Sequence, residues 1–349
     1  MIKGISLFAN VGIDEHYLKE IGVEIVVSNE LLRKRADFYQ HLYPKSNMIC
    51  GDITDKNIYE KLSKEYKDSG CDFVLATPPC QGMSIAGKMK ENDVRNTLII
   101  NVIDFIKENQ PSNALIENVP GILKFSIKIN QKIKKIVDYI KEELEPFGYI
   151  VNYDVVCASD YNTPQYRKRA IFLISKIKKW DFPKKHKHIT VEQAIGDLPS
   201  LESGEICKDK KYHYSKVHNK NHILWLRNTP TGKTALDNKV HYPNIDGRKI
   251  KAFSTSYKRI DWHRPAPTIT MGNGGISSQN NVHPGKRNKD GTYTDARVLT
   301  ILELLRLSGL PDDWDIPEWA SDKLIREVLG ESFPPKFCLS LMATIPRKI

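Results

Sequence analysis

The chain has 349 residues, with 53 Lys and Arg against 42 Asp and Glu, a formal net charge of +11. With 40% hydrophobic residues it can bury one large or two modest cores, which excludes a wholly disordered protein. No uncharged apolar run approaches the roughly 18 residues a membrane span needs. Residues 1–4 also lack the basic-then-apolar pattern of a signal peptide, so the expectation is a soluble, cytoplasmic protein with no membrane partner.

In chain order, Ile2 to Phe8 reads as a strand, followed by a turn at Gly12 and a helical stretch through Leu18. Val23 to Ser28 is a second strand ending at Asn29-Glu30, and residues 31–42 read as helix. Cys71 to Ala76 forms a strand that runs into Thr77-Pro78-Pro79-Cys80. Residues 97–108 form a helix with Leu98, Val102 and Phe105 on one face. Ala114 to Glu117 is another strand. Residues 130–145 read as one long amphipathic helix, and Val151 to Val156 and Ala170 to Ser175 as closing strands. Alternation at these lengths predicts βαβ units and an α/β fold with a mainly parallel sheet.

The character changes near residue 177. Residues 176–296 hold 23 Lys and Arg against 11 Asp and Glu, whereas the remainder is balanced at 30 against 31. Eight of the ten histidines also fall there. A near-neutral body therefore carries one basic segment of short strands and long loops, suited to a polyanion such as nucleic acid. Trp225 and Trp262 are candidate anchors of a small core. A clean helix resumes at Leu299 to Ser308, and residues 337–345 close with a short apolar helix.

Four polar landmarks fall at predicted strand ends, where a doubly wound sheet gathers its ligands: Asn10-Val11-Gly12, Asn29-Glu30, Thr77 to Cys80, and Glu117-Asn118. Gly12 would allow close backbone approach to a small ligand, Glu30 would hold a ribose diol, and Asp52 would meet a base edge. The dinucleotide pattern Gly-x-Gly-x-x-Gly is absent, which disfavours NAD and FAD and leaves open a smaller nucleoside cofactor without a pyrophosphate. Two prolines hold Cys80 rigidly at a strand end, as befits a nucleophile, with Glu117 as its acid partner. The six cysteines include no CxxC pair, so neither a disulfide framework nor a metal site is expected.

Together these residues resemble the DNA (cytosine-5) methyltransferases of bacterial restriction-modification systems. The resemblance is carried by Pro78-Pro79-Cys80-Gln81-Gly82-x-Ser84, by Phe8-Ala9-Asn10-x-Gly12, by Glu30 and by Asp52-Ile53. Asp93-x-Arg95-Asn96, Glu117-Asn118-Val119 and Gln165-x-Arg167-x-Arg169 add to it. So do Arg297-x-Leu299-Thr300 with Glu303, and Gly330-Glu331-Ser332. The chain departs from the family pattern at Ser6, Asn10, Ile13, Ala76-Thr77 and Glu331.

The resemblance implies a Rossmann-like S-adenosylmethionine-dependent methyltransferase fold. Residues 1–176 would be catalytic, 177–290 would be an irregular target-recognition domain, and 291–349 would return to complete the catalytic domain. It implies that a cytosine flips out of duplex DNA, that the Cys80 thiolate adds to carbon 6, and that carbon 5 takes the methyl of S-adenosylmethionine, leaving S-adenosylhomocysteine. Glu117 would hold ring nitrogen 3. Arg167, with Arg169 beside it, would steady the base oxygen and Glu117. Phe8, Ala9, Asn10, Gly12, Glu30, Leu31, Asp52, Ile53, Pro78 and Ser332 would hold the cofactor. Gln81, Ser84, Lys88 and Arg95 of a closing loop would meet DNA, as would Arg227, Lys233, Arg248, Arg259, Arg264 and Asn273 of the basic segment. No metal is required. The expected partners are double-stranded DNA and a separately acting restriction endonuclease, with the chain itself a monomer. A tRNA cytosine-5 methyltransferase and a non-catalytic nucleic-acid-binding protein stand as alternatives.

Overall fold

A computed structural model describes residues 1–79, 98–129 and 132–348. In chain order the first elements are β1 (Ile2–Leu7), β2 (Val23–Glu30), α1 (Arg33–Leu42), β3 (Asn47–Cys50), α2 (Lys56–Asp68) and β4 (Phe73–Ala76). Next come α3 (Leu98–Asn109), β5 (Asn113–Asn118), β6 (Ser126–Ile129), β7 (Lys132–Lys135), α4 (Ile136–Leu144), β8 (Ile150–Cys157), β9 (Gln165–Tyr166) and β10 (Lys168–Ser175). The remainder carries α5 (Val191–Ile195), α6 (Lys220–Arg227), β11 (Asn244–Ile245), β12 (Arg248–Lys249), β13 (Ala266–Pro267), α7 (Ile301–Ser308), α8 (Asp322–Glu331) and α9 (Pro335–Met342).

The elements fall into two compact units. The first comprises Met1–Cys157, Lys168–Lys185 and Pro335–Ile349, and the second Ala158–Arg167 and His186–Pro334. This differs from the three-segment expectation. Of residues 291–349 only those from Pro335 onward belong with the sheet, because α7 and α8 pack on each other and α7 on α5. Among the described residues no helix is long and apolar enough to cross a membrane.

The first unit is built on a seven-stranded sheet in the order β3-β2-β1-β4-β5-β10-β8. The first five strands are parallel, and β10 runs antiparallel to both its neighbours, β5 and β8, so β8 points the same way as the first five. This is the mainly parallel, Rossmann-like α/β arrangement expected. Helices cover both faces, so central strands are apolar throughout: Phe73, Val74, Leu75 and Ala76 of β4 are all fully buried. The strand order reverses between β1 and β4, which places the ligand crevice beyond their carboxyl ends.

Two local expectations fail. The stretch toward Leu18 is a string of turns leading into a short 3-10 helix, Leu18–Ile21, rather than an α-helix. The long helix expected over 130–145 is shortened to α4, because Lys132–Lys135 pairs antiparallel with Ser126–Ile129 as a hairpin. The alternating Lys-Ile-Lys-Lys pattern suits a strand as well as a helix turn, and the neighbouring strand decides.

The second unit is held by a buried ionic network. Arg297 is fully buried and every guanidinium donor position is used. Its Nη1 and Nη2 grip the two oxygens of Glu303 at 2.9 Å each, Nη2 also meets Asp295 at 2.8 Å, and Nε donates to the Leu201 carbonyl at 2.8 Å. Glu303 also closes the N-terminal capping box of α7, accepting from the Thr300 N–H at 2.7 Å. Burial and the neighbouring Arg297 charge push His283 down to about 4, so it sits neutral between Asp295 and Glu303. A smaller apolar cluster contains Trp225, Leu226, Tyr257, Val282 and Val298. Glu303→Ala should leave Arg297 buried without its bidentate partner. Thermal unfolding of the full chain should show a loss of about 3–5 kcal/mol.

Candidate active site

Within the first unit, the turn after β1 carries Phe8 and Asn10 at φ of 61° and 50°, and Gly12 at 72°. Those left-handed residues turn the chain so that the Asn10 N–H points back to β2, donating to Glu30 Oε2 at 2.9 Å. The other oxygen, Oε1, accepts from the Leu32 N–H at 2.9 Å. Glu30 is thus fastened through both oxygens. Leu31, beside it, is 58% exposed. A fixed carboxylate next to an exposed apolar side chain fits a nucleoside, with its diol and its flat base. Ala9 is buried and its N–H donates to the Asn29 carbonyl, while Phe8 packs partly on the core.

Three cofactor expectations change in detail. A Cβ on Gly12 would fall 2.5 Å from the Tyr43 ring and 2.7 Å from that of Tyr39. The glycine therefore makes room for these two tyrosines, and Tyr43 also donates to its carbonyl at 2.6 Å. Asp52 spends Oδ1 on the N–H and hydroxyl of Thr54. Ile53 is buried in the core, so only its backbone is left to meet a ligand.

Sequence reading passed over two carboxylates beneath this turn. Asp14 and Glu15 are both buried. Glu15 Oε2 accepts from the Tyr39 hydroxyl at 2.6 Å, and its Oε1 finds no hydrogen-bond partner among the described residues. Burial pushes Glu15 up to about 7 against the pull of the Tyr39 and Ser6 hydroxyls. Asp14 is raised by burial and then by the charges of Glu15 and Glu117. An acidic pair inside an apparent helix was the available signal.

At the end of β4, Thr77 donates its N–H to the Leu7 carbonyl at 3.2 Å and its hydroxyl to that of Phe8 at 3.0 Å. From the neighbouring strand β5, Asn118 Nδ2 donates to the Pro78 carbonyl at 3.1 Å while its Oδ1 accepts from the Val119 N–H. The approach to Cys80 is thereby strapped from both sides. Cys80, Gln81, Ser84, Lys88 and Arg95 lie outside the described residues. Of the described thiols, Cys71 is pushed by burial up to about 12, and buried Cys338 is also raised, so neither is a ready nucleophile.

Glu117, one residue before Asn118, is buried and ion-paired to Arg169 Nε. The antiparallel register explains the choice. Ile171 lies opposite Glu117, so Arg169, two residues along β10, stands on the same face at diagonal reach. Arg167, expected to steady Glu117, has partners within the second unit. It donates to the carbonyls of Ile269 at 2.9 Å and Gly330 at 3.1 Å. Gln165 joins it there, donating to Leu307 and accepting from the Ile269 N–H.

The remaining expectations divide by burial. Ser332 caps the end of α8, donating to the Leu329 carbonyl within the second unit. Arg259 is fully buried and donates to the carbonyls of Leu226, His283, Thr294 and Asp295, so it is a structural residue and not a DNA contact. Asn273 is likewise buried, bonded to Thr270 and Arg326. Arg227 is exposed and paired with Glu202 at 3.3 Å, and Arg264 with Asp261 at 3.9 Å. Lys233 and Arg248 are exposed.

A parallel sheet with an antiparallel edge pair, a fastened acid at the end of β2 and an acid–arginine pair at the end of β5 define an α/β methyltransferase architecture. Among known proteins, the model of the C-5 cytosine-specific DNA methylase family matches residues 2–347. The Type II methyltransferase M1.HgaI of Avibacterium volantium is 48% identical over 96% of this chain and 95% of its own. M.DdeI of Desulfomicrobium norvegicum is 30% identical over 80% and 69%. Two solved structures share the fold: Entamoeba histolytica EhMeth (TM-score 0.65, 14% identity, 98% and 97% covered) and Spodoptera frugiperda DNMT2 (0.64, 15%, 99% of each). The chain belongs to the C-5 cytosine-specific DNA methylase family, and it is a DNA (cytosine-5) methyltransferase. That family and fold imply S-adenosylmethionine as methyl donor.

The buried acid pair has a measurable consequence. A carboxyl whose pKa rises on folding contributes stability below its unfolded value, and that contribution is lost as pH climbs through the folded value. For Glu15 the window runs from about 4.5 to about 7. Glu15→Gln should therefore raise the unfolding temperature at pH 8, by the equivalent of roughly 3 kcal/mol, with the gain vanishing toward pH 4.5 in thermal melts across pH.

Proposed function

We propose that this methyltransferase works through Cys80 as nucleophile, Glu117 as the acid on the base, and Arg169 as the residue that orients Glu117. The observation that carries this reading is the Glu117–Arg169 pair next to the strapped Thr77–Pro79 segment. Carbon 5 of cytosine is a weak nucleophile. Addition of the Cys80 sulfur to carbon 6 shifts a ring electron pair toward carbon 5. Glu117, donating a proton to nitrogen 3, takes up the charge as it develops. Arg169 holds Glu117 in place through this change. Loss of the carbon 5 proton and cleavage of the sulfur–carbon 6 bond then restore the aromatic ring. Arg167 we assign to holding its own unit together, in place of the catalytic role first expected.

Glu30 would hold the ribose of S-adenosylmethionine and Leu31 the face of its adenine, with the backbone of Phe8 to Asn10 beside the methionine end. When bound, the cofactor supplies the electrophilic methyl group. The target base must leave the duplex stack to meet these groups, at a cost of a few kcal/mol. The Type II methyltransferase names of the relatives support a protective role beside a restriction endonuclease that acts separately. We take the enzyme to act as a monomer in the cytoplasm.

Bisulfite sequencing of random DNA treated with enzyme and S-adenosylmethionine should find 5-methylcytosine within one short sequence. Cys80→Ser should abolish it, and DNA carrying 5-fluorocytosine should trap a covalent adduct. Methyl on an exocyclic nitrogen, or no adduct, would refute the mechanism. The two arginines should separate in kinetics. Arg169→Ala should lower the kcat of the folded enzyme by about 100-fold and also cost stability, because Glu117 is left buried without its cation. Arg167→Ala should lower stability by about 1–3 kcal/mol, because two buried carbonyls lose their donor, with kcat of the folded enzyme little changed.

A further inference from the structure

The cations of the second unit sort by what already occupies them. Arg259 and Arg297 are fully buried, and Arg227 and Arg264 lean on carboxylates. Residues 239–254 differ. They hold four cations, Lys239, Arg248, Lys249 and Lys251, against the single carboxylate of Asp246. Three large apolar side chains stand in solvent among them: Val240 at 75% exposure, Ile245 at 68% and Phe253 at 75%. An ordinary solvated loop has no use for such side chains, and exposed apolar groups rimmed by charge mark a contact surface.

The segment is shaped as well as charged. Strands β11 and β12 pair antiparallel across a two-residue turn. Asp246 and Gly247 both take left-handed φ, 50° and 77°, the geometry that joins two strands tightly. Asn244 Oδ1 accepts from the Gly247 N–H, and the Ile250 N–H donates to the Pro243 carbonyl, so the tip is braced. Its base is anchored by Asn238, which donates to the carbonyls of Trp225 and His241, and by Ile250 packed on the Trp225 cluster. Ile245 and Arg248 are direct cross-strand partners, so they share one face. Asn244 and Lys249 share the other, with Lys249 over the Tyr242 ring.

We infer that this ribbon reads the DNA sequence: Ile245 and Arg248 enter the major groove, Arg248 forking onto a guanine edge and Ile245 resting on a thymine methyl. The major groove admits a two-stranded ribbon, guanine presents two acceptors that match a guanidinium, and thymine presents the apolar group that an isoleucine fits. No carboxylate among the described ion pairs occupies Arg248, and the flanking Lys239, Lys249 and Lys251 supply the phosphate neutralisation that surrounds such a contact. The inference rests on the chain's action on DNA cytosine and adds which residues choose the site.

Arg248→Ala and Ile245→Ser, both on an exposed tip, should keep the unfolding temperature and S-adenosylmethionine affinity of the parent. On a pool of randomised duplexes, single-base mapping of 5-methylcytosine should show each variant accepting bases the parent rejects at one position. For Arg248→Ala, kcat/KM on the parent's sequence should fall about 10- to 100-fold, chiefly through KM, with the salt dependence of DNA binding nearly unchanged. A sequence preference identical to the parent's would overturn the assignment. So would a uniform loss over all sequences with a salt slope smaller by about one, the mark of a phosphate contact, or a change of oligomeric state. Parent enzyme that left no 5-methylcytosine would instead remove the function on which the inference stands.

Discussion

The register of β10 against β5 is the constraint on which the active site depends. Opposing Ile171 to Glu117 puts Arg169 on the acid's own face and within its reach. A slip of one residue would turn Arg169 to the other side of the sheet and leave a buried carboxylate without its cation. The same β5 end carries Asn118, which reaches across to the Pro78 carbonyl. One strand thus fixes Glu117 and the segment leading to Cys80, the nucleophile we propose, and antiparallel β10 supplies the charge.

The Gln165-x-Arg167-x-Arg169 segment serves two masters. The chain passes from one compact unit to the other between Arg167 and Lys168. Gln165 and Arg167 tie down backbone around Ile269 and Gly330, while Arg169 serves the acid. Two arginines in one short run therefore have different physical tasks. A buried guanidinium on neutral carbonyls organises a fold, and one on a carboxylate sets a charged site.

The same distinction runs through the basic half of the chain. Arg297 is fully buried on Glu303 and Asp295, and Arg259 on four carbonyls. Such arginines cost desolvation and return it only because every donor finds an acceptor. They give an irregular, loop-rich unit a defined interior that its small apolar cluster alone would not. The cations left at the surface are then those available to nucleic acid.

The sequence by itself determined the alternation of strands and helices, the four strand-end landmarks and the family, and it singled out Glu30 and Glu117 as candidate acids. These depend on local periodicity, on proline and glycine chemistry and on spacing, all of which are written along the chain. Tertiary structure alone decided that Arg169 pairs with Glu117, that Arg167 binds the carbonyls of Ile269 and Gly330, that Tyr39 and Tyr43 crowd Gly12, and that Arg259 and Asn273 are interior. It likewise decided that the expected helix at 130–145 begins as a strand. Burial and cross-strand register are properties of neighbours far apart in sequence. A lysine-rich stretch carries no mark of which cation will find a carbonyl and which will be left facing solvent.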